Sequence, residues 1–372
     1  MKKIPYKKKY NNIIFFCPTI GEGGVEKNLV TISNYFVKKG INTYLITANK
    51  NKKKEFINKI KFVVPKSNFW DNKIIFLKNL VCAYLLIKNF YNKDFKLISF
   101  KSNILALILV KLLNKKIVIR SNNSPDAFSK NFIRTIIFKF FFKLADKVVV
   151  NSLDFKNLFF KKFNIKPVMI YNPTFNKKII IRKSKEKINF NFFDNIRELK
   201  IISVGRLVKQ KNHILLLNAL NNLKNKIKFK CVVIGKGNEY KFLKNFIKIK
   251  KLENKIKLLG YKKNPLPYIL KSDVFILTSI YEGLPNVLID AVALSKKIIS
   301  SNCETGPKEI LLDGKAGYLF KNNSQKNLEK KILLMINSYK KNKQKIYLGK
   351  KYLHRFDENL NCKKYLELMI TL

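Results

Sequence analysis

The sequence predicts an α/β chain folded as two doubly wound parallel-sheet domains, and three observations carry that prediction. The chain has 372 residues, more than one hydrophobic core usually organises. Short, continuous apolar runs of strand length alternate with helix-length segments, the pattern of a parallel sheet covered on both faces. The alternation pauses once, at Tyr171-Asn172-Pro173-Thr174, and then restarts.

In the front half, residues 12–17, 42–47, 96–100, 116–119 and 147–150 read as strands. Helix-length stretches at 27–39, 73–90 and 102–113 lie between them. The pause is followed by a polar, Lys-rich interval to about residue 199. The pattern resumes with strand 200–204, helix 214–223, strand 228–234, helix 239–250 and strand 256–259. Strand 274–278, helix 286–294 and strand 297–300 follow. Expected boundaries are a first domain over 1–173, a linker over 174–199, a second domain over 200–341, and a closing helix over 342–372 that crosses back to the first. Ligands of such sheets sit outside the carboxyl ends of the strands, so the expected site is a cleft between the domains.

An apolar fraction of 47%, a charged fraction of 27%, 10 Pro and 13 Gly exclude a disordered chain, a collagen and a low-complexity scaffold. Lys and Arg number 77 against 23 Asp and Glu, a net charge of +54. Such charge attracts polyanions, an anionic bilayer or phosphorylated substrates. A/T-rich codon bias is the other reading, because the excess is Lys scattered through every segment alongside Asn, Ile and Phe. That scatter argues against a dedicated nucleic-acid surface. Cys17, Cys82, Cys231, Cys303 and Cys362 form no C-x-x-C pair, and only two His accompany them. A zinc site is therefore not expected, and the thiols read as the reduced cysteines of a cytoplasmic protein. Met1-Lys2-Lys3-Ile4-Pro5 runs into Lys7-Lys8-Lys9 instead of an apolar core, unlike a signal peptide. The apolar stretches at 74–87 and 104–110 are interrupted by Lys78 or too short to span a bilayer.

Three strand-end loops have the composition of binding loops. Gly21-Glu22-Gly23-Gly24-Val25-Glu26 follows the first strand and opens a helix, where backbone N–H groups approach an anion or a sugar freely. It is no dinucleotide fingerprint, since Glu26 stands where a third Gly is needed, and Gly235-Lys236-Gly237 fails likewise at Tyr240. The loop 203–213 carries Gly205, Arg206 and Lys211, a small residue and two cations able to neutralise a departing diphosphate. A solvated basic turn is the plainer reading of the same residues. Ser279-Ile280-Tyr281-Glu282-Gly283-Leu284-Pro285-Asn286 places a carboxylate at a helix start, with Pro285 set to open the helix and Asp290 one turn in. Two spaced carboxylates beside an anion site suit a sugar nucleotide.

Taken together, Gly23-Gly24-Val25-Glu26, Gly205-Arg206-Leu207 with Lys211, Gly235-Lys236-Gly237, and Glu282-Gly283-Leu284-Pro285-Asn286 ending on Asp290 resemble family 4 glycosyltransferases of the GT-B fold. The resemblance covers essentially the whole chain. It implies retaining transfer of a sugar from a nucleotide diphosphate donor, expected to be a UDP-sugar, with no metal and no other cofactor. Arg206 and Lys211 would bind the diphosphate, Glu282 the sugar hydroxyls and Asp290 the ribose. Gly283, Leu284, Asn286 and the Gly23-Gly24 loop would face phosphate and sugar, while Gly235 and Gly260 would border the base. The acceptor would be a glycan or a lipid-linked glycan in surface polysaccharide assembly, with the protein peripheral on the inner face of the membrane. Three departures stand out: Asp290 replaces the usual Glu, Ser295 and Lys297 replace a Gly and a Pro, and Asn122 or Asn123 stands where many relatives carry a His. His213 and His354 read as packing residues. Residues 128–147 alternate large apolar side chains with Lys130, Arg134, Lys139 and Lys143, as in a basic helix lying on a membrane or a domain helix with its cations in water. Two competing functions are a non-catalytic polyanion binder on this scaffold and a sugar-nucleotide epimerase.

Overall fold

The computed structural model describes residues 12–21, 23–122, 125, 131–195 and 197–372. Of the segments singled out above, the lysine-rich start, Glu22, Asn123, Ser124 and residues 128–130 lie outside the described residues. The chain divides into two compact units, Met1–Pro173 with Glu358–Leu372, and Thr174–Asp357.

The first unit is built on β1 (Asn12–Phe16), β2 (Thr43–Ile46), β3 (Lys61–Val63), β4 (Phe95–Ser99), β5 (Lys116–Arg120), β6 (Lys147–Val150) and β7 (Val168–Met169). They form one parallel sheet in the order β3-β2-β1-β4-β5-β6-β7. Phe15 of β1 pairs in register with Leu45 on one side and Ile98 on the other. The continuous apolar runs are explained by burial on both faces. Ile13 and Phe15 join a core with α1 (Gly24–Lys38), while Ile14 and Phe16 join another with α2 (Ile75–Phe90), α3 (Asn103–Leu112), α4 (Phe132–Leu144) and α5 (Leu153–Phe163). Helix α5 shows how the sequence dictates this. Ser152 caps it by accepting the Phe155 N–H at 3.2 Å, and Phe155, Phe159 and Phe163 recur every fourth residue on the buried side. Burying each such ring contributes roughly 1.5–3 kcal/mol.

The second unit begins with α6 (Lys177–Ser184) and carries β8 (Leu199–Val204), α7 (His213–Leu223), β9 (Phe229–Ile234), α8 (Tyr240–Ile249), β10 (Ile256–Leu258) and α9 (Leu266–Lys271). It continues through β11 (Val274–Leu277), α10 (Asn286–Ala293), β12 (Lys297–Asn302), α11 (Pro307–Ile310), β13 (Tyr318–Lys321), α12 (Gln325–Ile336) and α13 (Tyr339–Lys351). Its six parallel strands run β10-β9-β8-β11-β12-β13. Each sheet therefore reverses strand order once, between β1 and β4 in the first unit and between β8 and β11 in the second. In open parallel sheets that reversal is where diverging loops leave a crevice.

Two expected boundaries change. The stretch 174–199 is not a free linker but the opening of the second unit. The Phe175 N–H donates to Phe356 O at 2.9 Å, α6 packs on α9, and the Phe190 ring meets Tyr268 at 5.2 Å. A few apolar anchors among many Lys suffice to fix it. The closing helix over 342–372 is also two helices. Helix α13 stays on the second unit, where Asn342 accepts a hydrogen bond from the Tyr318 hydroxyl at 2.8 Å. A 3-10 turn at Leu353–Phe356 ends that run. Helix α14 (Glu358–Ile370) alone joins the first unit, burying Cys362, Tyr365, Leu366 and Met369 in the core that α1 lines.

Candidate functional site

The carboxyl ends of β8 and β11 bring together two of the three loops that the sequence singled out, 203–213 and 279–286. Lys211 and Glu282 form an ion pair there, with side chains only 13% and 7% exposed. The same Glu282 oxygen, Oε1, accepts the Ser279 hydroxyl at 2.6 Å. Ser279 is fixed in turn because its carbonyl accepts the Ser301 hydroxyl from β12 at 2.6 Å. On the other side Thr278 Oγ1 donates to Lys211 O at 3.0 Å. Thr305 donates its hydroxyl to Glu282 O, so both members of the pair are held by backbone and side chain.

Gln210 is the clasp between the two loops. Its carbonyl accepts the Ile280 N–H at 2.9 Å, and its amide Nε2 donates to Tyr281 O at 2.9 Å. Its Oε1 accepts Arg206 Nη2 at 3.1 Å. Arg206 is exposed, and this bond sets the direction of its guanidinium. The crevice therefore combines an exposed cation, Arg206, with a paired cation largely withdrawn from solvent, Lys211.

Glycines close the crevice by letting backbones touch. A Cβ at Gly235 would stand 1.8 Å from Gly205 O, so the loops after β8 and β9 come together only if residue 235 has no side chain. Gly306, at φ +86°, holds the α11 entry against Gly283, where a Cβ would lie 1.7 Å from the Gly283 carbonyl oxygen. Gly260 follows β10, and its carbonyl accepts the Gly235 N–H at 2.9 Å. Leu284 is buried, and Asn286 is the first residue of α10, whose start has no side-chain cap. Its N-terminal N–H groups are the donors an anion would use. Asp290 lies one turn further along, half-buried.

His213 opens α7 beside Lys211 and is buried, with Nδ1 3.4 Å from the Ser203 hydroxyl. Burial and the Lys211 charge push its pKa down to about 4, so it is neutral at physiological pH. Burial likewise raises the thiols of Cys17 and Cys303 to about 12.

The first unit carries a comparable pair at its own strand reversal. Glu26 Oε1 accepts Lys101 Nζ at 2.5 Å and the Gly21 N–H at 3.2 Å, while Lys101 also donates to Thr19 O at 2.9 Å. Burial raises the Glu26 carboxyl, and the Lys101 hydrogen bond and charge outweigh it, leaving the pKa below the ordinary value. This pair ties the Gly23-Gly24 loop after β1 to the loop after β4. Nearby Arg120, 1% exposed, donates to the Tyr365 hydroxyl at 2.9 Å, to Asn172 Oδ1 at 2.7 Å and to Asn122 Oδ1. Asn122 also donates to Phe100 O at 2.8 Å, so both ends of its amide are held within the fold.

The loops after β8 and β11 bring the expected Arg206, Lys211 and Glu282 together, and they are held by residues the sequence does not single out, Gln210, Ser279 and Thr305, as Glu26 is held by Lys101. The last carried the one usable signal, a Lys immediately beyond an apolar strand.

Residues 22–174 match the family model described as Glycosyltransferase Family 4, and residues 184–352 match that for Glycosyl transferases group 1. The chain is 29% identical over 330 residues to a Campylobacter jejuni protein, covering 82% of this chain and 84% of that one. That relative is the N-acetylgalactosamine-N,N'-diacetylbacillosaminyl-diphospho-undecaprenol 4-alpha-N-acetylgalactosaminyltransferase. An uncharacterised glycosyltransferase of Methanocaldococcus jannaschii is 30% identical over 299 residues, 74% of each chain. A second from that organism is 31% identical over 224 residues, and the match spans only 55% of its length and 55% of this chain. Among solved structures, Anabaena HepE in complex with UDP and glucose superposes with a TM-score of 0.78 at 17% identity, covering 98% of this chain and 100% of that one.

Proposed function

Because the chain belongs to the family 4 glycosyltransferases and has their GT-B fold, we propose that it transfers a sugar, with retention, from a UDP-sugar to a glycan or lipid-linked glycan in surface polysaccharide assembly. The observation that carries the reading is the Lys211–Glu282 pair at the β8/β11 reversal, clasped by Gln210 beside an exposed Arg206. In this reading Arg206 and Lys211 neutralise the diphosphate as the bond from the anomeric carbon to the β-phosphate oxygen breaks. The acceptor oxygen bonds to the anomeric carbon on the face the diphosphate leaves, and the acceptor hydroxyl proton passes to the departing phosphate oxygen. Glu282 fixes Lys211 and holds donor sugar hydroxyls, Asp290 takes the ribose, and the start of α10 with Gly283, Leu284 and Asn286 donates N–H groups to phosphate and sugar. Gly205, Gly235 and Gly260 bring backbone close to the nucleotide. Charge stabilisation and positioning then supply catalysis without a metal ion.

Two findings support the donor and acceptor classes. The HepE structure contains UDP and glucose, and the Campylobacter relative is named for a diphospho-undecaprenol acceptor. A lipid-linked acceptor would bring the chain to the inner face of the membrane as a peripheral protein. Calorimetric titration with UDP-, GDP- and ADP-sugars in EDTA tests the donor reading. UDP-sugar binding is expected to be selective and to weaken on Arg206→Ala; equal binding of all three, or none, contradicts it.

A further inference from the structure

Three neighbouring helices of the first unit turn large apolar side chains outward. On α2, Phe76, Leu80, Tyr84 and Ile87 recur every three or four residues along the solvent side. The opposite side of α2 buries Cys82, Leu86 and Phe90 together with a cation, Lys78, whose Nζ donates to Asp71 O at 2.6 Å. Helix α2 is thus apolar on its solvent side as well as on its buried side, unlike an ordinary amphipathic surface helix. Helix α3 exposes Ile108 and Leu112, the latter by 78%. Helix α4 buries only Phe142 and exposes Ile133, Ile136, Ile137, Phe140 and Leu144. Helix α2 packs on α3 and α3 on α4 over one core, so the three helices that carry these side chains are neighbours. So many exposed large apolar side chains on neighbouring helices mark an interaction site.

Charge selects the occupant. Helices α2, α3 and α4 contain no Asp or Glu, and Lys88, Arg134 and Lys143 stand exposed among the apolar side chains. A second copy of a chain with a net charge of +54 would be repelled at this face. We propose that the α2–α3–α4 face docks on an anionic lipid bilayer, its apolar side chains entering the acyl boundary and its cations meeting lipid phosphates. No helix among the described residues is long and apolar enough to cross a membrane, so the face lies on the bilayer. The proposal extends to three helices what the sequence offered for α4 alone as one of two readings. It takes its purpose from the lipid-linked acceptor proposed above, and its test needs neither donor nor acceptor.

The test uses vesicles of phosphatidylglycerol in phosphatidylcholine, with phosphatidylcholine alone as control. Binding is read by flotation and by the fluorescence of Trp70, the chain's one tryptophan, in the turn Asn68–Asn72 ahead of α2. A purely electrostatic association is released in roughly 1 M salt, where the Debye length is about 3 Å. The wild-type protein is expected to stay bound there, with a blue-shifted Trp70. The variant Leu80→Ser, Tyr84→Ser, Ile136→Ser, Phe140→Ser is expected to bind at least about tenfold more weakly in that salt. Donor hydrolysis by this variant should be unchanged, since all four side chains are exposed and far in sequence from the β8/β11 loops. Full release of the wild type by salt, equal retention of the variant, or a lipid-free dimer that the variant dissolves would each overturn the proposal. None of these outcomes bears on the transferase reading, which donor turnover decides separately.

Discussion

Removing one member of a buried ion pair leaves the other charge without its counter-ion, and Lys211–Glu282 is such a pair. Glu282→Gln preserves the shape of the site but strands the Lys211 ammonium. We expect a loss of about 3 kcal/mol in urea unfolding, with a smaller loss for Glu282→Gln combined with Lys211→Met, a double change that removes both charges. His213 makes a pH prediction. Its imidazole protonates near 6.5 when unfolded and near 4 when folded. Between those values the unfolded chain holds more protons, so stability falls as pH drops from about 6.5 to 4, by at most about 3 kcal/mol. Urea midpoints at several pH values should show this slope in the wild type, and His213→Gln should flatten it. The buried thiols make a simpler check: Ellman's reagent should label none of the five cysteines in the folded protein at pH 8 and all of them in denaturant.

Helix α14 is held to the first unit by its apolar side and by the Tyr365 hydroxyl, which accepts a hydrogen bond from buried Arg120. Tyr365→Phe leaves a guanidinium N–H unpaired in the core. We expect about 1–3 kcal/mol of destabilisation, with amide exchange in α14 rising before exchange in β4 and β5. Which elements the sequence disclosed follows the same physics. Strands such as β1 and β11 were legible because burial on both faces demands an unbroken apolar run. The extent of α14 was not, because its turn from α13 is marked only by a short 3-10 segment without Gly or Pro. Helix α6 was hidden because Ile180 and Ser184 are its buried residues in a stretch otherwise dominated by Lys. At the site, Arg206, Lys211 and Glu282 stood out as charges in loops at strand ends. Gln210, Ser279 and Thr305 did not, since an ordinary polar residue shows its role only once the β8 and β11 loops lie side by side.

The whole molecule carries a net charge of +54 spread over two units whose parallel sheets each reverse once. That charge makes association with any polyanion steeply salt-dependent, so affinity for nucleic acid is expected to collapse between low and physiological salt. Donor binding should fall far less, because it uses Lys211, largely removed from solvent, and fixed backbone N–H groups. The most direct test is steady-state consumption of UDP-, GDP- and ADP-sugars in EDTA by the wild type and by Lys211→Ala. The account predicts turnover of UDP-sugar, with kcat/KM lowered by about 10²–10³ in the variant at an unchanged fold. Absence of turnover with every donor, or full activity in Lys211→Ala, would contradict it.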